Sequence, residues 1–163
     1  MKSTELTHDP NIYTNILQQS GYDINKVEGG AVSVYNGEGD SFNNPAKKNN
    51  SLATTTYSPK SEKFRLTVHQ NQKDVKDLFT TVENVVNGLG VHEYTGHGVK
   101  RYGDSKLNHT KAYELQFNHS SWKKTTSDFK RYMEIIYHEV KASEEIQNMI
   151  FKAVMEQMNK KTQ

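Results

Sequence analysis

A helical stripe of apolar residues between positions 75 and 89 constrains the fold of this chain more than any other feature. Its members recur every three or four residues and are Val75, Leu78, Phe79, Val82, Val86 and Leu89. This spacing predicts a single amphipathic α-helix with one apolar face. Just before it, Lys63 to His69 alternates apolar and polar side chains, which predicts a half-buried strand.

Composition limits the core that these elements can build. The chain has 163 residues, of which only 33% are hydrophobic, and this length indicates a single domain over residues 1–163. No apolar run approaches the roughly 18 residues of a membrane span, so a transmembrane protein is excluded. We therefore expect a small core, confined mainly to the striped helix, the strand before it and the C-terminal helices.

Cysteine is absent from the chain, whereas histidine occurs seven times. A chain without cysteine has no disulfide scaffold, no zinc ribbon and no thiol nucleophile. Histidine and carboxylate side chains are therefore the strong ligands that remain for a transition metal.

The N-terminal part of the chain predicts short elements. Asp9 to Gly21 has the pattern of a short helix, and Ala31 to Tyr35 that of a strand. Residues 36–60 are rich in glycine, asparagine, serine and lysine, which predicts an exposed loop or flexible flap with at most a brief strand at Thr54 to Tyr57.

The last third of the chain is helical in pattern. Apolar spacing predicts three helices, around Ala112 to Phe117, Phe129 to Ile136 and Ile146 to Met158. Ser143-Glu144-Glu145 has the pattern of a capped start for the third helix. Together the elements predict an α+β fold with a mostly helical C-terminal half packed on a short β-sheet.

The segment that follows the striped helix carries the residues best suited to chemistry. It reads His92-Glu93-Tyr94-Thr95-Gly96-His97-Gly98. In zinc hydrolases, two histidines on either side of a glutamate hold the metal ion while the carboxylate faces the attacking water. The segment therefore predicts a metal site at His92 and His97, with Glu93 beside it.

The two histidines are five residues apart, one more than is usual in such sites. On a regular α-helix, five residues turn a side chain by about 500°, which would leave the imidazoles roughly 140° apart. A single-residue π-bulge would bring them within roughly 50° of each other, and such bulges occur mostly at functional sites. Gly96 has no Cβ to resist the extra winding. We therefore expect a π-bulge between His92 and His97.

The same segment resembles the HExxGH motif of dipeptidyl-peptidase III, a zinc metallopeptidase. The stretch from Val82 to Lys130 resembles the metallopeptidase-like domains at the C-termini of bacterial polymorphic toxins of the Rhs type, in which a ligand-x-x-Ala-Tyr helix follows the zinc helix. His109-Thr110-Lys111-Ala112-Tyr113 fits that pattern. The resemblance implies a small zincin-like domain, hydrolysis of peptide bonds in a peptide or protein substrate, a toxin or effector role, and an immunity protein as a partner.

A catalytic zinc ion needs three protein ligands and one open position, so a third ligand is expected downstream of His97. His109 is the first choice, because Ala112, one turn further on, leaves room for close packing against the zinc helix. Glu114 is the alternative if this helix faces the other way. Glu93 would not bind the metal; it would act as the general base and pass its proton to the leaving amine.

Three further features have both a functional and a structural interpretation. Asp104 could orient a ligand imidazole, but it also fits a turn at Gly103-Asp104-Ser105. Tyr113 could stabilise an oxyanion or simply pack in the core. The strand from Lys63 to His69 could be the sheet edge on which an extended peptide lies.

Two competing functions stay open at this stage. A metal-dependent nuclease could use the eight cations that surround the predicted site, although acidic residues interrupt them. These cations are Lys100, Arg101, Lys106, Lys111, Lys123, Lys124, Lys130 and Arg131. A non-catalytic interaction domain is the other alternative, but a degenerate peptidase would be expected to have lost Glu93 first. The net charge of +2 gives no support to nucleic-acid binding by field strength alone.

The other four histidines and the N-terminus show no pattern of a functional site. His8, His69, His119 and His138 have the context of surface or packing residues, with His119 expected closest to the site. Residues 1–10 lack the apolar core of a signal peptide. The sequence therefore predicts a protein that stays in the cytoplasm of its producer, or one that a secretion system delivers into a target cell.

Overall fold

The structure is a computed structural model that describes residues 11–35, 51–69, 73–103 and 107–161. Its α+β fold contains one three-stranded sheet and a larger helical part. The strands are β1 (Ser33–Tyr35), β2 (Ala53–Ser58) and β3 (Lys63–His69). The α-helices are α1 (Asn11–Gln19), α2 (Lys73–Leu78), α3 (Val82–Val85), α4 (Thr110–Asn118) and α5 (Ser127–Lys161), with a π-helix at Val86–Val99.

Strand β3 is the central strand of the sheet. It pairs with β1 in parallel and with β2 in antiparallel fashion, giving the order β1-β3-β2. The predicted apolar face is confirmed, because Phe64, Leu66 and Val68 are all buried. The strand is more than half buried, however, because Thr67 and His69 on the other face are buried as well. The prediction that residues 63–69 form a sheet edge is wrong, because both sides of β3 already pair. Among the described residues, β1 and β2 are the two edge strands instead.

The predicted single helix over residues 75–89 is interrupted. Helix α2 ends at Leu78, and α3 begins at Val82 and continues directly into the π-helix. Two side chains stabilise the break: Thr81 Oγ1 accepts a hydrogen bond from Asn84 N at 3.2 Å, and Asn84 Nδ2 donates to Leu78 O at 2.6 Å. The break also turns Val82 out of the stripe, so that 47% of its surface is exposed.

The π-helix is much longer than the predicted bulge. It runs for 14 residues without returning to α geometry, and it ends with a hydrogen bond from Lys100 N to Thr95 O, five residues back, at 2.9 Å. Its glycines allow neighbours to approach closely. A Cβ on Gly90 would lie 2.5 Å from the Tyr22 ring, and one on Gly98 would lie 2.6 Å from the Phe64 ring. The glycine-rich sequence therefore permits a wide helix inside a tight core.

The two predicted C-terminal helices are one continuous helix, α5, of 35 residues. The expected helix start at Ser143-Glu144-Glu145 is wrong, because these residues lie inside α5. Glu144 is instead buried against α4, where its carboxylate accepts hydrogen bonds from Thr110 N at 3.1 Å and Thr110 Oγ1 at 2.7 Å. Beyond Glu144, the side chains of α5 are mostly exposed.

The N-terminal elements follow the sequence closely. Helix α1 buries Tyr13, Ile16 and Leu17, and β1 is shorter than predicted because it begins at Ser33. In the predicted loop, residues 36–50 lie outside the described residues, whereas Ala53–Ser58 forms β2, an extended version of the brief strand that the sequence allowed. Residues 1–10 also lie outside the described part. Within the described residues, no helix combines the length and apolar character needed to cross a bilayer.

Candidate metal centre

Three histidines converge at the junction of the π-helix and α4. His92 and His97 come from the π-helix, and His109 precedes the first residue of α4. One ring nitrogen from each lies within 4.8 Å of the others, so the three can hold a metal ion together. The π-helix explains how two histidines five residues apart share a face, because its turn is closed by hydrogen bonds between residues i and i+5.

Hydrogen bonds fix the orientation of two of the imidazoles. His92 Nδ1 donates to the side-chain oxygen of Gln116 at 2.9 Å, and His97 Nδ1 donates to the backbone oxygen of Tyr102. A carbonyl oxygen only accepts, so each Nδ1 carries the proton and the Nε2 of a neutral ring keeps its lone pair.

These two Nε2 atoms face each other at 3.1 Å. Two lone pairs at this distance repel unless a proton or a metal ion lies between them. Two nitrogens bound tetrahedrally to zinc at about 2.0–2.1 Å would be about 3.3 Å apart, close to the observed separation. Burial, with His97 and His109 nearby, lowers the pKa of His92 well below 6.5, which disfavours a proton in this position. The geometry therefore suits a metal ion.

The third histidine is held close by tight packing between the π-helix and α4. Ala112 is fully buried, and a Cβ on Gly96 would lie 3.0 Å from the Ala112 Cβ. The predicted close approach at Ala112 is therefore confirmed. The His109 ring centre lies 4.7 Å from that of His97. Burial and the neighbouring His97 lower the pKa of His109 to about 4, although the charge of Glu144 raises it.

The alternative third ligand does not reach the cluster. Glu114 lies on the exposed face of α4, where its carboxylate is 3.5 Å from the Tyr137 hydroxyl. Asp104, the predicted orienting residue, lies outside the described residues. In the described part of the chain, Gln116 and the Tyr102 carbonyl orient the imidazoles.

Glu93 is buried beside the histidines and is held by the edge strand. Thr55 Oγ1 donates a hydrogen bond to Glu93 Oε2 at 2.6 Å. Burial raises the pKa of Glu93, while His97 and the Thr55 hydroxyl lower it. A carboxylate placed between a metal site and a hydroxyl of this kind can accept a proton from a reacting water.

A cavity of about 470 Å³ opens onto the three histidines and Glu93. Strand β2 contributes Thr54, Thr55 and Tyr57 to its wall. Tyr113 also lines it, with its ring centre 4.3 Å from that of His92. Burial and the nearby Glu93 raise the pKa of Tyr113, so its hydroxyl stays protonated and can donate a hydrogen bond into the cavity.

The remaining histidines do not join the cluster. His69 is buried in the sheet, 3.1 Å from Thr54 Oγ1, and is a packing residue as predicted. His138 is exposed on α5. His119 caps the turn at Ser120–Lys124 and does not line the cavity. His8 lies outside the described residues.

Sequence reasoning missed Gln116, Thr55 and Glu144. Gln116 follows His109 by seven residues, with Ala112 and Tyr113 between them, which is the spacing of one helix face. This pattern could have identified Gln116. Nothing in the sequence links Thr55 to Glu93 or Glu144 to Thr110, because these pairs meet only in the folded chain.

Comparison with known proteins does not assign this chain to a family. No protein-family model matches the chain, and no curated protein or solved structure matches it either.

Proposed function

We propose that this protein is a zinc-dependent metallopeptidase that hydrolyses peptide bonds, with His92, His97 and His109 as metal ligands and Glu93 as the catalytic base. The observation that carries the proposal is the pair of Nε2 atoms that face each other at 3.1 Å, each with its Nδ1 proton already donated elsewhere. The HExxGH resemblance supports the same assignment.

Zinc fits the donor set better than magnesium or calcium does. Three imidazole nitrogens suit zinc, whereas magnesium and calcium prefer oxygen ligands. Three protein ligands would leave one position for a water or a substrate, and the cavity that the three histidines line would give access to it. When bound, zinc would supply Lewis-acid activation of a water molecule and of the scissile carbonyl.

Glu93 performs the proton transfers. Its carboxylate takes a proton from the attacking water and gives it to the leaving amine. The Thr55 hydroxyl holds one carboxylate oxygen in place and leaves the other free to accept the proton. Tyr113 keeps its proton and is placed to stabilise negative charge on the carbonyl oxygen.

In this proposal, strand β2 binds an extended peptide substrate. It is the sheet edge next to the cavity, so its outer backbone groups can pair with a substrate strand. Thr54, Thr55 and Tyr57 then lie beside the substrate and the histidines. This role passes to β2 because β3 is internal to the sheet.

The cavity does not favour the nuclease alternative. None of the described residues that line it is a lysine or an arginine, although phosphate contacts usually need them. The guanidinium of Arg101 lies 3.6 Å from the centre of the Tyr57 ring instead. A toxin or effector role, with an immunity protein as partner, rests on the resemblance to polymorphic toxins.

Metal analysis combined with proteolysis tests the proposal. We expect about one zinc ion per chain in wild type and in Glu93→Gln, and none in His92→Ala or His97→Ala. Wild type should cleave peptides, whereas all three variants should be inactive. His138→Ala, an exposed histidine away from the cluster, is the matched control and should keep both properties. Absence of zinc, or full activity in Glu93→Gln, would contradict the proposal, and cleavage of DNA or RNA by wild type would favour the nuclease.

A further inference from the structure

Part of the wall of the cavity next to the three histidines is apolar, and we call this part the apolar recess. Its lining is formed by Leu52, Ala53, Phe79, Gly88, Met133 and Ile136. The catalytic groups described above do not need this space, yet it opens into the same cavity as Glu93.

The walls of the recess are preformed. Leu52, Phe79 and Met133 are each less than 8% exposed and belong to the main core, so they cannot easily close the space. Gly88 contributes to its shape, because a Cβ there would lie 2.8 Å from Phe79 Cε1 and would push the ring away. Glycine at this position therefore keeps the Phe79 ring against the helix.

The chemistry of the lining selects what can enter. Among the described residues that line the cavity, Glu93 is the one acidic group, and none is a lysine or an arginine. Transfer of an apolar side chain from water into such a space is favourable. A charged side chain would lose its hydration there and would find no oppositely charged group in the apolar recess.

We propose that the recess binds one bulky, uncharged apolar side chain of the peptide substrate, next to the bond that is cleaved. The protein would therefore prefer peptides with leucine, methionine or an aromatic residue at this position. The inference rests on the proposed peptidase function, and it adds the class of substrate.

Binding of N-acetyl amino-acid hydroxamates to the zinc-loaded protein tests this preference. The hydroxamate group binds zinc in every member of the series, so differences in affinity report the side chain. We expect the leucine and phenylalanine derivatives to bind roughly 10-fold to 100-fold more tightly than the glycine derivative. The lysine derivative should bind no more tightly than the glycine derivative. Equal affinities in a zinc-loaded protein would overturn this inference alone. Lack of zinc and of binding by every derivative would overturn the peptidase proposal as well.

A substitution in the recess should change the order of affinities. In Ile136→Glu, the lysine derivative should bind more tightly than the phenylalanine derivative, while the glycine derivative keeps its affinity. Ile135→Glu is the matched control, because Ile135 is 50% exposed and does not line the cavity. If Ile136→Glu fails to fold, Ile136→Ala replaces it and should reduce the advantage of the phenylalanine derivative several-fold. An unchanged order in Ile136→Glu, or an unchanged advantage in Ile136→Ala, would overturn the inference.

Discussion

At the scale of single residues, the candidate site depends on side chains that hold other side chains. Gln116 and the Tyr102 carbonyl fix the ring orientation of His92 and His97, and Thr55 holds Glu93. The sequence predicted the histidines that meet, because His92 and His97 belong to one short motif with Glu93 and His109 begins the helix expected to follow it. Thr55 was not predicted, because it meets Glu93 only in the folded chain, and Gln116 was missed although it shares a helix face with His109.

Replacing Gln116 tests whether the ring orientation of His92 matters for metal binding. Gln116→Leu removes the acceptor of the His92 Nδ1 proton, so we expect zinc affinity to fall roughly 10-fold to 100-fold. Gln116→Glu keeps an acceptor oxygen and should retain most of the affinity. Competition with a chromogenic chelator measures both variants. Equal zinc affinity in wild type and Gln116→Leu would show that His92 needs no such partner.

Replacing Thr55 tests how the base is positioned. In Thr55→Val, the Glu93 carboxylate loses its 2.6 Å hydrogen bond, and we expect kcat to fall about tenfold while zinc affinity is unchanged. Thr55→Ser keeps the hydroxyl and should restore most of the rate. Thr56→Val, at the exposed neighbouring position of β2, is the matched control. A loss of rate in Thr55→Ser as large as in Thr55→Val would assign the effect to packing.

At the scale of elements, the sequence predicted which segments form helices and strands better than it predicted where each helix begins and ends. The helix over residues 75–89 was predicted as continuous, because the Thr81 and Asn84 caps that interrupt it have no effect on apolar spacing. Helix α5 was predicted as two helices, because Ser143 and Glu144 resemble a helix start. The histidine spacing predicted extra winding, but not that the winding would extend over 14 residues.

Helix α5 also contacts the start of α4, next to the candidate metal centre, through Glu144. Its carboxylate accepts two hydrogen bonds from Thr110, at the start of the helix that His109 precedes. We expect Glu144→Ala to lower the free energy of unfolding by about 1–2 kcal/mol, as for loss of a helix N-cap, and to weaken zinc binding. Glu145→Ala removes the exposed neighbouring carboxylate and should change neither property. Denaturant unfolding and chelator competition measure the two effects, and identical results for both variants would contradict this role.

At the scale of the whole molecule, the sequence correctly predicted an α+β fold with a small sheet beside a larger helical part. It could do so because strand and helix periodicities are local. The order β1-β3-β2 was not predictable, since strand periodicity does not show which strand lies in the centre of the sheet. Consequently, the expected substrate edge was placed on the wrong strand, although the predicted ligands are the three that meet.

The buried histidines should make the metal-free protein sensitive to acid. Burial lowers the pKa of His69, His92 and His109 below the 6.5 of an exposed histidine, so the unfolded chain binds more protons than the folded one as the pH falls. Their contribution to stability is therefore complete above pH 6.5 and is lost as the pH falls through the lowered pKa of each histidine, which is about 4 for His109.

Comparison of wild type with His109→Gln isolates one of these contributions. The pKa of His109 is lowered to about 4 in the folded protein. After allowance for its partial exposure, His109 should account for about 2 kcal/mol of the unfolding free energy that is lost in acid. Between pH 7 and pH 4, wild type should therefore lose about 2 kcal/mol more unfolding free energy than His109→Gln. Chemical denaturation in a chelating buffer measures this difference, and parallel pH profiles would contradict it.

The central claim is that His92, His97 and His109 hold one zinc ion. An anomalous-scattering map collected at the zinc edge from crystals of the protein tests it most directly. We expect a single strong peak at about 2.0–2.1 Å from Nε2 of His92, Nε2 of His97 and one ring nitrogen of His109, with Glu93 outside bonding distance. A map without a peak at this position, or a peak bound by Glu114 in place of His109, would contradict it.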